Sequence, residues 1–136
     1  MAAFTSESAV RLKFQVTDTA SVPQDLVLKS IEDAHEEIVR CLDPAVDQTS
    51  PEETLVLGET LLAGAHLLKS LAAKDAVQHK EVVVGGQRVD TGKRYAALMA
   101  LSNQSGEQAW ETLRPYLRES SGAVEAVVTD TTPVLG

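Results

Sequence analysis

The chain has 136 residues, the size of one ordinary domain, and is long enough to bury a hydrophobic core without disulfides or metals. Its formal net charge of −8 at pH 7 argues against a protein that grips a nucleic-acid backbone, because such proteins concentrate Lys and Arg. Hydrophobic residues make up 43% of the chain but aromatic residues only 4%, so the apolar mass is Leu, Val and Ala. That bias favours helices packed through small side chains.

Neither the N-terminal stretch nor the distribution of apolar residues points to secretion or to a membrane. The stretch MAAFTSESAVRLKF lacks the basic start and continuous apolar run of a signal peptide, and no window approaches 18 uninterrupted apolar residues. Cys41, the one cysteine, cannot form an internal disulfide and is predicted to be a small buried hydrophobe. We therefore expect a protein made in the cytoplasm or belonging to a soluble assembly.

Two helices are predicted in the first third of the chain. The first covers about residues 6 to 14, with Thr5 or Ser6 as its cap and with Val10 and Phe14 on one face. The second has Pro23 in its first turn and is strongly amphipathic. Its apolar positions recur at spacings of four and three: Val27, Ile31, Ala34, Ile38 and Leu42.

The opposite face of this second helix is charged. It carries Glu32, Asp33, Glu36, Glu37 and Arg40 without apolar interruption. Such a face is usually a solvated surface, because charged residues are rarely buried unpaired. An electrostatic docking face is the alternative.

A third, long helix is predicted from the stretch SPEE, where Ser50 is the N-cap, Pro51 the first helical residue and Glu53 the capping-box acid. Its wide apolar stripe runs to about residue 76 and comprises Leu55, Gly58, Leu61, Leu62, Ala65, Leu68 and Ala72. Gly58 and Gly64 would let another helix approach closely.

The stretch EVVVGGQRVD, at about 81–90, predicts a β-hairpin. Two short β-segments flank Gly85 and Gly86, which suit a two-residue type I′ turn. Two strands alone are marginal in water, so the valines of the hairpin need another surface to cover them.

The remainder predicts two more helices and a tail. Asp90 or Thr91 can cap a helix containing Tyr95, Leu98, Met99 and Leu101, which SNQSGEQ interrupts. The final helix, capped at Ser105, carries Ala109, Trp110, Leu113 and Leu117, and Pro115 should kink or tighten it. From residue 120 onward the helical period is lost, and AVEAVVT has β-propensity without a partner.

These elements predict a mostly α fold: a small bundle of four to five helices in residues 1–119, with the hairpin inserted at about 81–90, and an extended tail at 120–136. The tail is interpreted as a segment that orders on assembly.

No residue pattern indicates catalysis, a metal or a cofactor. The stretch VGGQRVDTGKR resembles a Walker A loop, but five residues separate Gly86 from Gly92, and Arg94 stands where Ser or Thr belongs. His35, His66 and His79 lie in different segments without metal-site spacing, and there is no G-x-S-x-G elbow. We predict no catalytic residue, no metal ligand and no cofactor.

In this order the elements resemble the head-tail connector proteins of tailed bacteriophages, also called head-completion or adaptor proteins. The stretches that carry the resemblance span about residues 6 to 118: PQDLVLKSIEDAHEEIVRCL, SPEETLVLGETLLAGAHLLKSLAAKDAV, VVVGGQRVDTGKRYAALM and AWETLRPYL. None is a diagnostic motif. The likeness is in the arrangement of helices around a variable loop or hairpin.

The resemblance implies a non-enzymatic virion protein. Copies of the chain would form a ring, twelvefold in expectation, between the portal protein and the tail or head-closure (stopper) protein, and DNA would pass through the channel without specific binding. Glu32, Asp33, Glu36 and Glu37 would face this channel, where negative charge repels DNA. The hairpin and tail would complete contacts between copies through Val82, Val83, Val84, Gly85, Gly86, Val89, Val124, Val127 and Val128.

Two other functions remain open from the sequence. One is a stand-alone helical binding or regulatory module that grips a partner helix beside Gly58 and Gly64. The other is a different phage neck or tail-completion protein.

Overall fold

The computed structural model describes residues 3–80 and 87–118, with the backbone alone at 77–80 and 87–92. Four α-helices make up most of this part: α1 (Glu7–Phe14), α2 (Gln24–Cys41), α3 (Glu53–Lys80) and α4 (Gln87–Leu113), followed by a 3₁₀ turn at Arg114–Tyr116. The described residues contain no strand, only an isolated antiparallel bridge between Leu42 and Leu117. The prediction of a mostly α fold is confirmed.

Helix α1 begins as the sequence predicts, whereas α2 begins just after the predicted position, because Pro23 is its N-cap rather than a residue of its first turn. Ser6 caps α1, with its Oγ accepting a hydrogen bond from the Ala9 N–H at 3.2 Å. The chain leaves α1 through Gln15, whose φ of 56° is left-handed. Pro23 precedes α2, and the five apolar positions predicted for this helix are all buried, with none more than 5% exposed.

Helix α3 is the centre of the molecule. It packs against α1 and α2 on one side and against α4 on the other, and the whole predicted apolar stripe from Leu55 to Ala72 is buried. By length and composition its Glu53–Ala76 stretch could cross a membrane, yet 67% of its most apolar window is buried within the protein. The two-sided packing explains this composition, since a helix covered on opposite sides has little surface left for polar residues.

Helices α3 and α4 are antiparallel neighbours. Leu113 lies against Gly58, the Ser102 side chain reaches the Ala65 carbonyl, and Arg94 pairs with Asp75. Residue numbers therefore rise along α3 as they fall along α4.

The predicted hairpin at 81–90 is wrong in its second segment, because residues 87–90, including Val89, form the first turn of α4. The β-propensity of a short valine-rich segment is weak and depends on a neighbouring strand, which the described residues do not supply. Val82, Val83, Val84, Gly85 and Gly86 lie outside the described residues, as do Val124, Val127, Val128 and the rest of the predicted tail at 120–136.

The predicted break between two C-terminal helices is also wrong. Residues 102–108 continue α4, and Ser102 and Ser105 are 3% and 8% exposed. Small polar side chains suit this position because they allow α4 to approach α3 closely. The expected effect of Pro115 is confirmed, since α4 ends at Leu113 and the chain tightens into the 3₁₀ turn.

The space beside Gly58 and Gly64 is filled by the chain itself. A Cβ added at Gly58 would lie 2.5 Å from Leu113, and one added at Gly64 would lie 2.0 Å from the ring of Phe14. A partner helix has no room at either glycine. The small residues of α3 accommodate α1 and α4 instead.

The end of the described chain closes against α2. The Asp43 N–H donates to the Tyr116 carbonyl at 2.9 Å, and the Arg118 N–H donates to the Cys41 carbonyl at 2.8 Å. Tyr116 also donates its hydroxyl to Glu52 at 2.9 Å. Burial raises the pKa of this tyrosine, and its bond to Glu52 adds to the rise.

Candidate functional site

The acidic residues predicted to face a channel share the outer side of α2. Glu32 and Glu36 are exposed, and Asp33 and Glu37 are half-buried. Lys29 lies on the same side, 3.4 Å from Glu32 and 3.3 Å from Asp33. Asp33 and then Glu32 raise the pKa of Lys29, as expected of an ammonium between carboxylates. The surface is therefore negative overall but locally neutralised at its N-terminal end.

The residues predicted to join neighbouring copies are not brought together by the described part of the chain. Of these nine, only Val89 falls within an element of the structure, the first turn of α4. The others are the residues named above as lying outside the described part, and their contacts stay a prediction.

A shallow groove of about 1110 Å³ follows α4 along α3. Its walls include the half-buried Trp110 and Leu57, which is 39% exposed. Charges of both signs surround it: Lys13, Lys69 and Arg114 against Glu37, Glu107 and Glu111. An apolar floor with a mixed charged rim is the composition of a protein-binding surface rather than of an anion site.

Two carboxylate-imidazole contacts join α2 to α3, and they differ in burial. Glu37 Oε1 lies 3.4 Å from His66 Nε2, between side chains that are 39% and 27% exposed. The Nε2 atom itself is buried and makes no hydrogen bond of good geometry. We therefore regard this contact as a loose electrostatic one.

The second contact is deeply buried, and the sequence did not reveal it. His35 Nδ1 lies 2.8 Å from Glu59 Oε1, within hydrogen-bond distance, and the two side chains are 6% and 0% exposed. Glu59 Oε2 accepts the backbone N–H groups of Phe4 and Thr5 at 2.7 and 3.0 Å. The sequence does hold one sign of this contact: Glu59 is a lone carboxylate between the apolar positions 58 and 61 of α3, where an acid must find partners to be buried.

Other chemistry-bearing residues do not converge within the described residues. No group of three His, Cys, Asp or Glu there could hold a metal ion. Cys41 is half-buried at the end of α2 rather than fully buried. Gly92 and Lys93 lie inside α4 rather than in a phosphate-binding loop, and Arg94 forms a bidentate pair with Asp75 at 2.9 and 2.8 Å.

Comparison of the chain with models of protein families, with curated proteins and with solved structures found no match.

Proposed function

We propose that this chain is a head-tail connector subunit of a tailed bacteriophage. In this role copies of the chain form a ring, the ring sits between the portal protein and the tail or stopper protein, and the protein acts as a structural component of the virion rather than as an enzyme. The proposal rests on the order of sequence elements described above and on the distribution of apolar surface in the folded chain.

The observation that carries the proposal is that large apolar side chains are exposed on every helix. Leu12 on α1 is 78% exposed, Leu28 on α2 is 46%, Leu57 on α3 is 39%, and Leu101 on α4 is 49%. Single exposed leucines are ordinary, but their distribution over different sides suits a ring subunit. Ring contacts join two different faces of each copy, unlike the single shared face of a two-fold dimer.

Charge supports the channel. The protein carries a net −8, and Glu32 and Glu36 are exposed on the acidic side of α2. A negative lumen repels the DNA backbone and keeps it from adhering during passage. We expect this side of α2 to face the channel.

The apolar segment around Val82, Val83 and Val84 and the tail residues Val124, Val127 and Val128 are proposed as contacts between copies. Valine-rich segments bury too little surface alone and gain stability against a neighbour.

The first experiment measures assembly. Mass photometry of the full chain, mixed with the portal ring encoded in the same genome, should show one large species carrying a ring of this protein. A mixture in which portal and chain remain separate, or combine as a single copy per portal, would contradict the connector role.

The second experiment tests the contacts. Replacing Val82, Val83 and Val84 with Ser should leave a folded helical monomer by circular dichroism but prevent ring formation on the portal. A matched control replaces three exposed alanines, Ala20, Ala45 and Ala73, with Ser and should assemble normally. Normal assembly of the valine variant would refute this part of the proposal.

The third experiment locates the acidic side. Electron cryomicroscopy of the portal complex should place Glu32 and Glu36 on the channel wall. A channel lined by Lys and Arg would refute that arrangement.

A further inference from the structure

We propose that residues 3–5, called the strap below, form a releasable cover that Glu59 holds closed over His35. The strap precedes α1 and crosses the junction of α2 and α3. Its opening would expose a buried carboxylate and imidazole without unfolding the bundle. This proposal is independent of the connector role.

One side chain accepts both backbone hydrogen bonds of the strap, and Ala3 and Phe4 also pack against the hydrophobic core. The two consecutive N–H groups of Phe4 and Thr5 both donate to Glu59 Oε2. The Thr5 and Thr60 hydroxyls lie 2.6 Å apart, and Thr60 donates its proton to the Val56 carbonyl at 2.8 Å. Thr5 is therefore the donor to Thr60. The Phe4 N–H, the Thr5 N–H and the Thr5 hydroxyl thus all point from the strap toward α3.

The strap separates the ionisable pair from solvent. The Phe4 ring meets the His35 ring edge to face, with centroids 4.8 Å apart and planes at 75°. Ala3, Phe4 and Thr5 are half-buried, while the Glu59 side chain beneath them is 0% exposed. Both oxygens of Glu59 have polar partners: Oε2 accepts the two backbone N–H groups of the strap, and Oε1 lies within hydrogen-bond distance of His35 Nδ1.

Opposing contributions make the strap a local opening unit. Closure gains hydrogen bonds to Glu59 and packs Phe4 against the core, but it also keeps a carboxyl group and an imidazole away from water, which is unfavourable. The strap has no regular secondary structure of its own, so few backbone bonds oppose its release. Segments with these properties open at a lower free energy than the core that they cover.

Opening would enlarge an existing cavity. A pocket of about 510 Å³ on α2 is lined by Ala3 of the strap, by His35 and by the apolar Leu28 and Ile31. Lifting the strap removes one wall of this pocket and adds the Glu59 carboxylate to it. The open state would then present a hydrogen-bond acceptor beside Leu28 and Ile31, with the charged Asp25, Lys29, Glu32 and Glu36 in the same pocket.

Amide hydrogen exchange followed by NMR on the full chain tests whether the strap opens without unfolding of the bundle. In the wild type, the Phe4 and Thr5 amides should exchange about tenfold or more faster than core amides such as those of Ile38 and Leu67, and low urea concentrations should not change this rate. Exchange of all four amides at one common, urea-dependent rate would overturn the proposal.

Substitutions of Glu59 test whether its acceptor oxygens, rather than the bulk of its side chain, hold the strap in place. Glu59→Leu should abolish protection at Phe4 and Thr5 while the Ile38 and Leu67 amides stay protected. Glu59→Gln should retain protection, because its amide oxygen can accept both N–H groups while its NH₂ donates to His35 Nδ1 in the tautomer that carries the ring proton on Nε2. Equal protection in the Leu and Gln variants, or loss at all four amides together, would contradict the proposed role of Glu59.

A variant on the strap itself keeps the test valid if Glu59→Leu does not fold. Thr5→Pro removes the Thr5 N–H without changing a core residue, and Thr5→Val is the matched control that retains this N–H. Diethyl pyrocarbonate should modify His35 faster in Thr5→Pro than in Thr5→Val. The same His35 reactivity in both variants would show that these hydrogen bonds do not hold the cover closed.

Discussion

The two sides of α3 are packed by different means. Toward α1 and α2, α3 presents Gly64 under the ring of Phe14, and Glu59 bonded to His35. Toward α4, small residues meet small residues along much of the contact: Ala65 lies against Gly106, and Ser102 donates to the Ala65 carbonyl at 2.7 Å, whereas Gly58 lies against the larger Leu113. The first side uses single large or charged partners, whereas the second uses close backbone approach along a seam.

This difference predicts different tolerance to mutation. A contact made by one aromatic ring or one buried charge has no substitute when its partner changes, because the site cannot collapse around the lost group. A seam of small side chains distributes its contacts over many positions, and each position contributes little. Substitutions on the side facing α1 and α2 should therefore destabilise the fold most.

The largest effect is expected from His35→Leu. Removing the imidazole leaves the buried Glu59 carboxylate without its Oε1 partner, which should lower the free energy of unfolding by about 3–5 kcal/mol. His66→Leu is the matched control at the half-exposed pair and should change stability by less than about 1 kcal/mol. Urea denaturation of both variants measures the contrast, and equal losses would show that burial does not distinguish the two pairs.

Gly64→Ala should have the next largest effect. The new methyl would overlap the Phe14 ring, and overpacking of this kind costs about 1–3 kcal/mol even though alanine favours the helix. Phe14→Leu in the same chain should recover part of the loss, because the smaller side chain gives room to the methyl group. Thermal denaturation of both single variants and the double variant gives the coupling, and simple additivity would place the clash elsewhere.

Helices α1 and α2, which pack on one side of α3, could largely be predicted from the sequence. The spacing of Val27, Ile31 and Ala34 identifies the buried face of α2, and all three are 5% exposed or less. Ser6 and Pro23 mark the starts of α1 and α2, because caps act through local backbone bonds, whereas the start predicted at Ser50 and Pro51 is wrong, since α3 begins at Glu53. Such signals need no knowledge of the partner.

The seam between α3 and α4 could not be predicted in the same way. Ser102, Ser105 and Gly106 are typical of a loop when considered singly, and they are helical here because their small size allows close contact with α3. Likewise, a glutamate in an apolar helix does not reveal which donors surround it. Glu59 is bonded to residues 24 and about 55 positions away, and such distant pairings leave no local pattern.

Ser102→Ala should have a smaller effect than the changes above. It removes one buried hydrogen bond, worth about 0.5–1.5 kcal/mol, but the Ala65 carbonyl sits within α3 and alanine is the better helix former. We expect a net loss below about 1 kcal/mol in the free energy of unfolding. A loss as large as that of His35→Leu would mean that the seam depends on this one bond.

Gly106→Ala should have the smallest effect and the opposite sign. Its new Cβ would lie 3.8 Å from the Ala65 Cβ, an ordinary contact distance, and Gly-to-Ala replacement within a helix stabilises by about 0.5–1 kcal/mol. Gly58→Ala is the informative neighbour, since its Cβ would lie 2.5 Å from Leu113 and must displace that side chain. Calorimetry should therefore rank Gly106→Ala above the wild type and Gly58→Ala below it. If Gly106→Ala proved as destabilising as Gly64→Ala, the two sides of α3 would be equally intolerant, and the seam would be as tightly fitted as the aromatic contact opposite.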